Sequence, residues 1–253
     1  MKTAIVIPAR YASTRLPGKP LLRQTGKYLV QHVYERACQA QRGDLVVVAT
    51  DDPRIFSAVE SFGGRAVRTR RDHPSGTDRV AEVAGQLDAE LIVNLQGDEP
   101  LIDPAALDLL FDLLLRHRDS EMATLATPLH SREQWQNPNC VKVVQDASGR
   151  ALYFSRSPIP FVRDGNPDFA LRPARFLQHL GLYAYRRSFL MRLAALPPEP
   201  LEQLEKLEQL RVLALGHPIR LGVVEQAGFG VDTYEDYERF VAAYRHSRTS
   251  YAA

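Results

Sequence analysis

IVIPARYASTRLPGKPL, residues 5–21, sets three cations, Arg10, Arg15 and Lys19, on a loop that leaves a short buried strand. The apolar run at 4–7 is too brief for a helix and ends at Pro8, so it predicts a strand followed by a loop. Pro17, Gly18 and Pro20 hold that loop in extended or turn geometry, which lets the three cationic side chains and several backbone N–H groups converge on one anion. A nucleoside triphosphate has the matching charge. A solvated loop whose arginines pair with neighbouring carboxylates is the competing reading of the same pattern. Two familiar phosphate loops are missing: no G-x-G-x-x-G follows a strand, and G-x4-G-K-[ST] occurs nowhere. The first absence disfavours a nicotinamide dehydrogenase.

Working outward from this stretch, apolar strands alternate with helical segments through the first half of the chain. Strands are predicted at 4–7, 45–49, 65–68 and 91–95, and helices at 30–41, after Pro53, at 77–87 and at 104–116, the last with Pro104 in its first turn. Alternation of this kind predicts a parallel, doubly wound α/β sheet. From about Ser131 the rhythm changes, and prolines and asparagines interrupt short strands at 141–145 and 151–154. This predicts one domain over 1–253 carrying a β-rich excursion at about 131–187. A helix at 201–215 presents Leu204, Leu207, Leu210 and Leu213 as a narrow apolar stripe. A last strand at 219–224 precedes a terminal helix from Tyr234, with 247–253 expected to fray.

Composition narrows the function classes. The chain has 253 residues, 45% hydrophobic and 25% charged, with a formal charge of +2, and no block of like charge runs along it. That balance argues against nucleic-acid or membrane-surface binding. No apolar run approaches transmembrane length. The N-terminal stretch, with one lysine and an apolar run broken by Pro8, does not read as a signal or transit peptide. Cys38 and Cys140 lack C-x-x-C spacing and predict two buried thiols in a cytoplasmic protein. The scattered histidines offer no zinc pattern, which leaves hard-metal chemistry through carboxylates open.

Several segments carry polar groups at positions suited to chemistry. In VNLQGDEPLI (93–102) a strand runs directly into Gln96, Gly97, Asp98 and Glu99, placing an acid at the carboxyl end of a parallel strand, where open sheets bind ligands. Such an Asp holds Mg²⁺ well, although a helix-dipole role is the alternative, with Asp103 the better cap for the helix at Pro104. Asp232, in GVDTYEDYER (230–239), also lies between strand and helix, and one magnesium ion bridging both acids fits the pattern. The same residue equally supports a capping box formed by Thr233 and Asp236. In SGTDR (75–79) the N–H groups and hydroxyls suit a base, ribose or phosphate, with Thr77 also readable as a plain cap. Asp51 and Asp52 read as turn and cap only. Farther along, Arg156 suits a carboxylate, His179 and Tyr183 suit sugar hydroxyls, and Glu205, Glu208 and Gln209 are spaced to share part of one helical face.

These segments, in this order and spacing over nearly the whole chain, resemble the CMP-KDO synthetases, the 3-deoxy-manno-octulosonate (KDO) cytidylyltransferases. The resemblance implies a Rossmann-like nucleotidyltransferase core with a mainly parallel sheet plus a smaller β-rich dimerisation lobe. It also implies a Mg²⁺-dependent homodimer that converts CTP and KDO to CMP-KDO and pyrophosphate for lipopolysaccharide biosynthesis. Carried over residue by residue, it puts nucleotide contacts at Ala9, Arg10, Arg15, Lys19, Ser75, Gly76, Thr77, Asp78 and Arg79. Metal positions fall on Asp98 and Asp232, and catalytic roles on Arg15, Lys19 and Asp98. The sugar pocket falls on Gln96, Arg156, His179, Tyr183, Glu208 and Gln209. Tyr28 and Tyr234 stand where the family pattern has proline, which puts local loop geometry, including the turn that presents Asp232, most in question. A related acidic sugar, either an amino analogue of KDO or a sialic acid, stays open as the substrate, as does a nucleotide-sugar-binding protein without turnover.

Overall fold

A computed structural model of the chain describes residues 1–12, 15–226, 228 and 230–250. The chain divides into two compact units, residues 1–108 with 228–253, and residues 109–227.

The first unit is built on four parallel strands: β1 (Thr3–Pro8), β2 (Leu45–Thr50), β3 (Ala66–Arg68) and β4 (Leu91–Asn94), in the spatial order β3-β2-β1-β4. Val6 sits opposite Val47 on one side and Asn94 on the other. Ala4 to Ile7 and Leu91 to Val93 have no exposed surface, as expected for strands covered on both faces. The crossovers are α1 (Leu29–Ala37), α2 (Pro53–Ser61) and α3 (Gly76–Gln86), and α4 (Pro104–Arg116) follows β4. Because the strands are parallel, the loops after all four open on the same edge.

Local chemistry explains where these helices begin. Asp52 accepts from the Arg54 amide at 2.9 Å and Pro53 opens α2. Ser75, rather than Thr77, caps α3 through a reciprocal box with Asp78. Asp103 accepts from the Ala105 amide at 3.0 Å. The predicted helix at 30–41 ends earlier, at Ala37, and Cys38 after it is exposed while Cys140 is half-buried, so neither thiol is the buried group expected from composition.

In the second unit, β5 (Met122–Pro128) pairs antiparallel with β8 (Leu177–Arg186) and parallel with β9 (Ile219–Val223). α5 (Arg132–Gln136) leads to the antiparallel pair β6 (Lys142–Gln145) and β7 (Ala151–Ser155), and β6 also pairs with β8. α6 (Arg187–Ala194), α7 (Pro200–Glu205) and α8 (Gln209–Ala214) come between β8 and β9. The single helix expected over 201–215 is therefore two. Lys206, at φ 54°, ends α7 in a left-handed cap. A two-pronged ion pair from Arg211 to Glu202, at 2.6 and 2.7 Å, ties the two pieces together. The break also splits the leucine stripe: Leu210 is fully buried, whereas Leu204 is 80% exposed.

The first unit closes with α9 (Tyr234–Ser250). Thr233 and Asp236 form the anticipated box, with the Thr233 and Asp232 amides donating to Asp236 at 2.9 and 3.1 Å. Tyr28 caps α1 in extended geometry and Tyr234 opens α9, so both tyrosines stand at helix starts, where proline is also tolerated. Tyr237, Phe240 and Val241 pack with Leu16, Leu29 and Val231 in one apolar cluster. Leu16 thus anchors the cationic loop from within.

Two stability predictions follow from this packing. His32 is buried beside Phe240 and Tyr244, and burial, helped by Lys27, holds its imidazole down at about 4. The unfolded chain takes up that proton near 6.5, so the stabilisation is complete above that pH and is lost as pH falls from about 6.5 to about 4. Urea titrations over this window should show a loss in wild type that is shallower in His32→Gln, the difference amounting to at most about 3 kcal/mol. At the sheet edge, a Cβ on Gly97 would lie 2.8 Å from the Pro8 carbonyl oxygen, a backbone atom that cannot swing aside. Gly97→Ala should cost about 1–3 kcal/mol in the same assay.

Candidate active site

At the carboxyl edge of the parallel strands the loop after β1, the turn after β4 and the segment entering α9 surround a cavity of about 350 Å³. Its walls include Arg10, Arg15, Lys19, Gln96, Asp98 and Asp232. Lys19 opens a short 3-10 turn (Lys19–Leu21) whose start depends on Gly18 at φ +69°. Its side chain is only 11% exposed, and its Nζ donates to Asp98 Oδ2 at 2.6 Å and to the Val231 carbonyl at 2.8 Å. Asp232 Oδ1 lies 3.4 Å from the same Nζ and 3.0 Å from Arg15 Nη2. One ammonium therefore holds two carboxylates that are 134 residues apart in sequence (232 − 98).

Electrostatic complementarity at this edge is uneven. Glu99 follows Asp98 in the turn; burial, with Asp98 and Asp232 nearby and Lys19 opposing them, pushes its carboxyl up to about 7. Its carboxylate sits so close to Gly228 and Gly230 that a Cβ at either position would fall 2.9 or 3.1 Å from an oxygen. On the other wall, Arg10 Nη2 is buried with no hydrogen-bond partner among the described residues. A buried guanidinium nitrogen without an acceptor is costly unless a ligand supplies one. The cavity thus offers cations in excess at its Arg10–Arg15 side and carboxylates at its Asp98–Asp232 side.

The donor set suits magnesium. Asp98 and Asp232 converge on one positive point, and Mg²⁺ takes one or two carboxylates while keeping water and phosphate oxygens for its other positions. Among the described residues no ready-made cage of three or more His, Cys, Asp or Glu exists, so a cation held here would complete its shell with oxygens from outside the protein, water or phosphate.

The SGTDR segment divides. Gly76 lines the cavity, while Ser75 and Asp78 are engaged with each other in the α3 cap. Arg79 is 1% exposed and turns inward, pairing with Asp51 at 2.8 Å and donating to Thr69 and to the Arg70 carbonyl. It clamps the ends of β2 and β3, giving Asp51 a partner that turn chemistry alone does not suggest. Ala9 also lines the cavity, though its amide is spent on the Ala49 carbonyl at 2.9 Å.

Of the residues assigned to a sugar, Gln96 is in the first unit and lines the cavity. The other five are in the second unit. There His179, Tyr183 and Gln209 form a connected group: Tyr183 Oη donates to Gln209 Oε1 at 3.1 Å, and Gln209 Nε2 approaches His179 Nδ1 at 3.4 Å. Thr124 completes it, with Oγ1 2.9 Å from His179 Nε2 and donating to the Leu182 carbonyl at 2.8 Å. Both ring nitrogens of His179 thus have a hydrogen-bonding partner, Thr124 at Nε2 and Gln209 at Nδ1. Burial holds its imidazole down at about 3. Burial, reinforced by Glu208, pushes the Tyr183 phenol well above its ordinary range. All three groups are therefore neutral hydrogen-bonding elements at physiological pH.

Arg156 makes its own contacts, with Glu205: its amide and the Ser155 hydroxyl donate to that carboxylate at 2.9 and 2.6 Å, and its Nε reaches the Glu205 carbonyl at 2.8 Å. Because the helix breaks at Lys206, Glu205 does not share a helical face with Glu208 and Gln209. Sequence reasoning missed Thr124, since 122–128 was not read as a strand. It also missed Lys142, fully buried and donating to the Asn137 and Arg156 carbonyls at 2.9 and 2.6 Å.

The sequence profile of the cytidylyltransferase family matches residues 4–219. The 3-deoxy-manno-octulosonate cytidylyltransferase of Syntrophotalea carbinolica is 52% identical over 248 residues, covering 97% of this chain and 99% of that protein. The protein of the same name from Thioalkalivibrio sulfidiphilus is 52% identical over 246 residues, 94% of this chain and 97% of its own length. A solved CMP:2-keto-3-deoxy-manno-octonic acid synthetase complexed with CTP superposes with a TM-score of 0.91 at 46% identity, covering 98% of this chain and all of that one. By profile, by full-length identity and by fold, the chain belongs to the 3-deoxy-manno-octulosonate cytidylyltransferase family.

Proposed function

We propose that this protein transfers CMP from CTP to the anomeric 2-hydroxyl of KDO, giving CMP-KDO and pyrophosphate and so activating the sugar for lipopolysaccharide biosynthesis. The observation that carries the reading is the Lys19, Asp98 and Asp232 constellation beside Arg10 and Arg15, on the ligand-binding edge of a parallel sheet. In this reading the triphosphate lies along the loop after β1. The sugar hydroxyl oxygen attacks the α-phosphorus and its proton leaves to solvent, the bond from the α-phosphorus to the oxygen bridging the β-phosphate breaks, and the charge that gathers on the departing pyrophosphate is met by Arg15 and Lys19. Arg10 gives its unpartnered Nη2 to a phosphate oxygen. Asp98 and Asp232 would hold Mg²⁺, which would supply positive charge against the phosphate oxygens. Rate enhancement comes from positioning and electrostatics, with no covalent enzyme intermediate.

The buried group in the second unit fits the sugar by the same logic. His179, Tyr183 and Gln209 are neutral donors and acceptors that can hydrogen-bond hydroxyls, and Arg156 supplies a cation for the sugar carboxylate. The protein acts in the cytoplasm as a homodimer in this reading, in keeping with the family resemblance; among the described residues no helix is long and apolar enough to cross a membrane.

Pyrophosphate release tests the proposal directly. It should require CTP, KDO and Mg²⁺ together, and fall about 10²–10³-fold in Asp98→Asn with the thermal midpoint little changed. Near-normal turnover in that variant would remove Asp98 from the reaction. Competition of KDO against its amino analogue and a sialic acid at limiting enzyme should favour KDO, and preference for another acid would keep the chemistry and change the substrate.

A further inference from the structure

The cationic loop closes on an aromatic ring that the mechanism does not use. The Gly18 amide donates to the Tyr11 carbonyl at 3.0 Å, pinching the loop at its neck. At that point Gly18 has φ +69°, and a Cβ there would lie 3.2 Å from Cε2, Cζ and Oη of Tyr11. The ring therefore lies flush against the glycine backbone, one residue before Lys19. Its other partner is Arg54, whose guanidinium carbon is 3.3 Å from the ring centroid. Arg54 is itself fixed, because its Nε and Nη2 grip the two oxygens of Asp52 at 3.0 and 2.7 Å, and Asp52 caps α2. Tyr11 is not among the residues lining the cavity.

From this arrangement we infer that Tyr11 is a positioning residue for triphosphate binding, with Arg54 as its support. The stack runs from the capped end of α2 through Arg54 and Tyr11 to Gly18, and sets the curl from which Arg10, Arg15 and Lys19 reach the cavity. Leu16 pins the far side of the same loop into the apolar cluster with α9. Three long cationic side chains lose much rotamer freedom when they grip a polyphosphate, and a loop already held in its binding shape leaves less order to be imposed by the ligand. A guanidinium over a tyrosine face supplies the holding contact without a polar group directed at the phosphates. The inference rests on the cavity binding a triphosphate, as proposed above, but not on the identity of the sugar.

The test is titration calorimetry of CTP with Mg²⁺ and without sugar, beside kcat and KM for each substrate. Tyr11→Phe keeps the ring and should bind CTP within about 3-fold of wild type, whereas Tyr11→Leu should weaken it about 10-fold with the KM for KDO and the thermal midpoint little changed. Arg54→Gln, an exposed substitution that leaves the core intact, should weaken CTP about 3-fold, and the double variant should bind no worse than Tyr11→Leu alone, because the two act through one contact. Unchanged affinity in Tyr11→Leu, equal losses in Tyr11→Phe and Tyr11→Leu, or additive losses in the double variant would each overturn the inference. Inorganic tripolyphosphate separates it from the functional proposal. A wild type that binds tripolyphosphate but not CTP overturns the nucleotide reading and leaves the same variant series to decide the loop's role on that probe; one that binds neither overturns both.

Discussion

The ammonium of Lys19 is the contact on which the site depends. It joins three pieces of chain that share no local sequence: the loop after β1, the turn after β4 through Asp98, and the entry to α9 through Asp232 and the Val231 carbonyl. Without it Asp98 would lose its ion-pair partner and Asp232 would keep only Arg15, beside a half-hidden Glu99 whose carboxyl is raised chiefly by burial and further by both aspartates. Lys19 therefore holds both acids in place from the cationic loop, at the point where the proposed function puts the divalent ion and the phosphates.

The two units, each taken by itself, carry different chemistry. The first presents permanent charge at a sheet edge, arginines and lysine against aspartates. The second presents neutral polar groups, a histidine partnered at both ring nitrogens and a phenol far from ionising, knit by hydrogen bonds to Thr124 and Gln209. Under the proposed function the former would serve phosphate recognition and the latter discrimination among hydroxyl patterns, because a buried neutral donor or acceptor left unpaired is penalised strongly.

Much of the first unit was legible in the sequence because its signals are local. A short apolar run ended by Pro8, an Asp-Pro pair ahead of α2 and Pro104 at the start of α4 each declare an element within a few residues, and α4 has the bounds expected, 104–116. The acids at the ends of strands were visible by the same means. What was not legible depends on distant partners. Arg79 looks like any helix-surface arginine until Asp51 and Thr69 arrive from the neighbouring strand ends. β8 mixes buried His179 and Tyr185 with half-exposed Gln178 and Leu180, and its bulged pairing with β5 blurs the alternation that marks a strand. The break at Lys206 places a left-handed backbone on a residue with no special preference for it, and only the Glu202–Arg211 pair accounts for its position.

The first unit is interrupted in sequence: its four strands are complete by residue 94, yet Val231, Asp232 and α9 come only after the whole second unit has been made. A chain emerging from the ribosome therefore carries Arg10, Arg15, Lys19 and Asp98 for more than half of its synthesis before the second acid and the aromatic cover of Tyr237 and Phe240 exist. During that interval Leu16 and Leu29 have no apolar partners from α9, and nothing from the far end restrains the cationic loop. Completion of translation thus doubles as the step that brings Asp232 to Lys19 and covers Leu16 and Leu29 with α9.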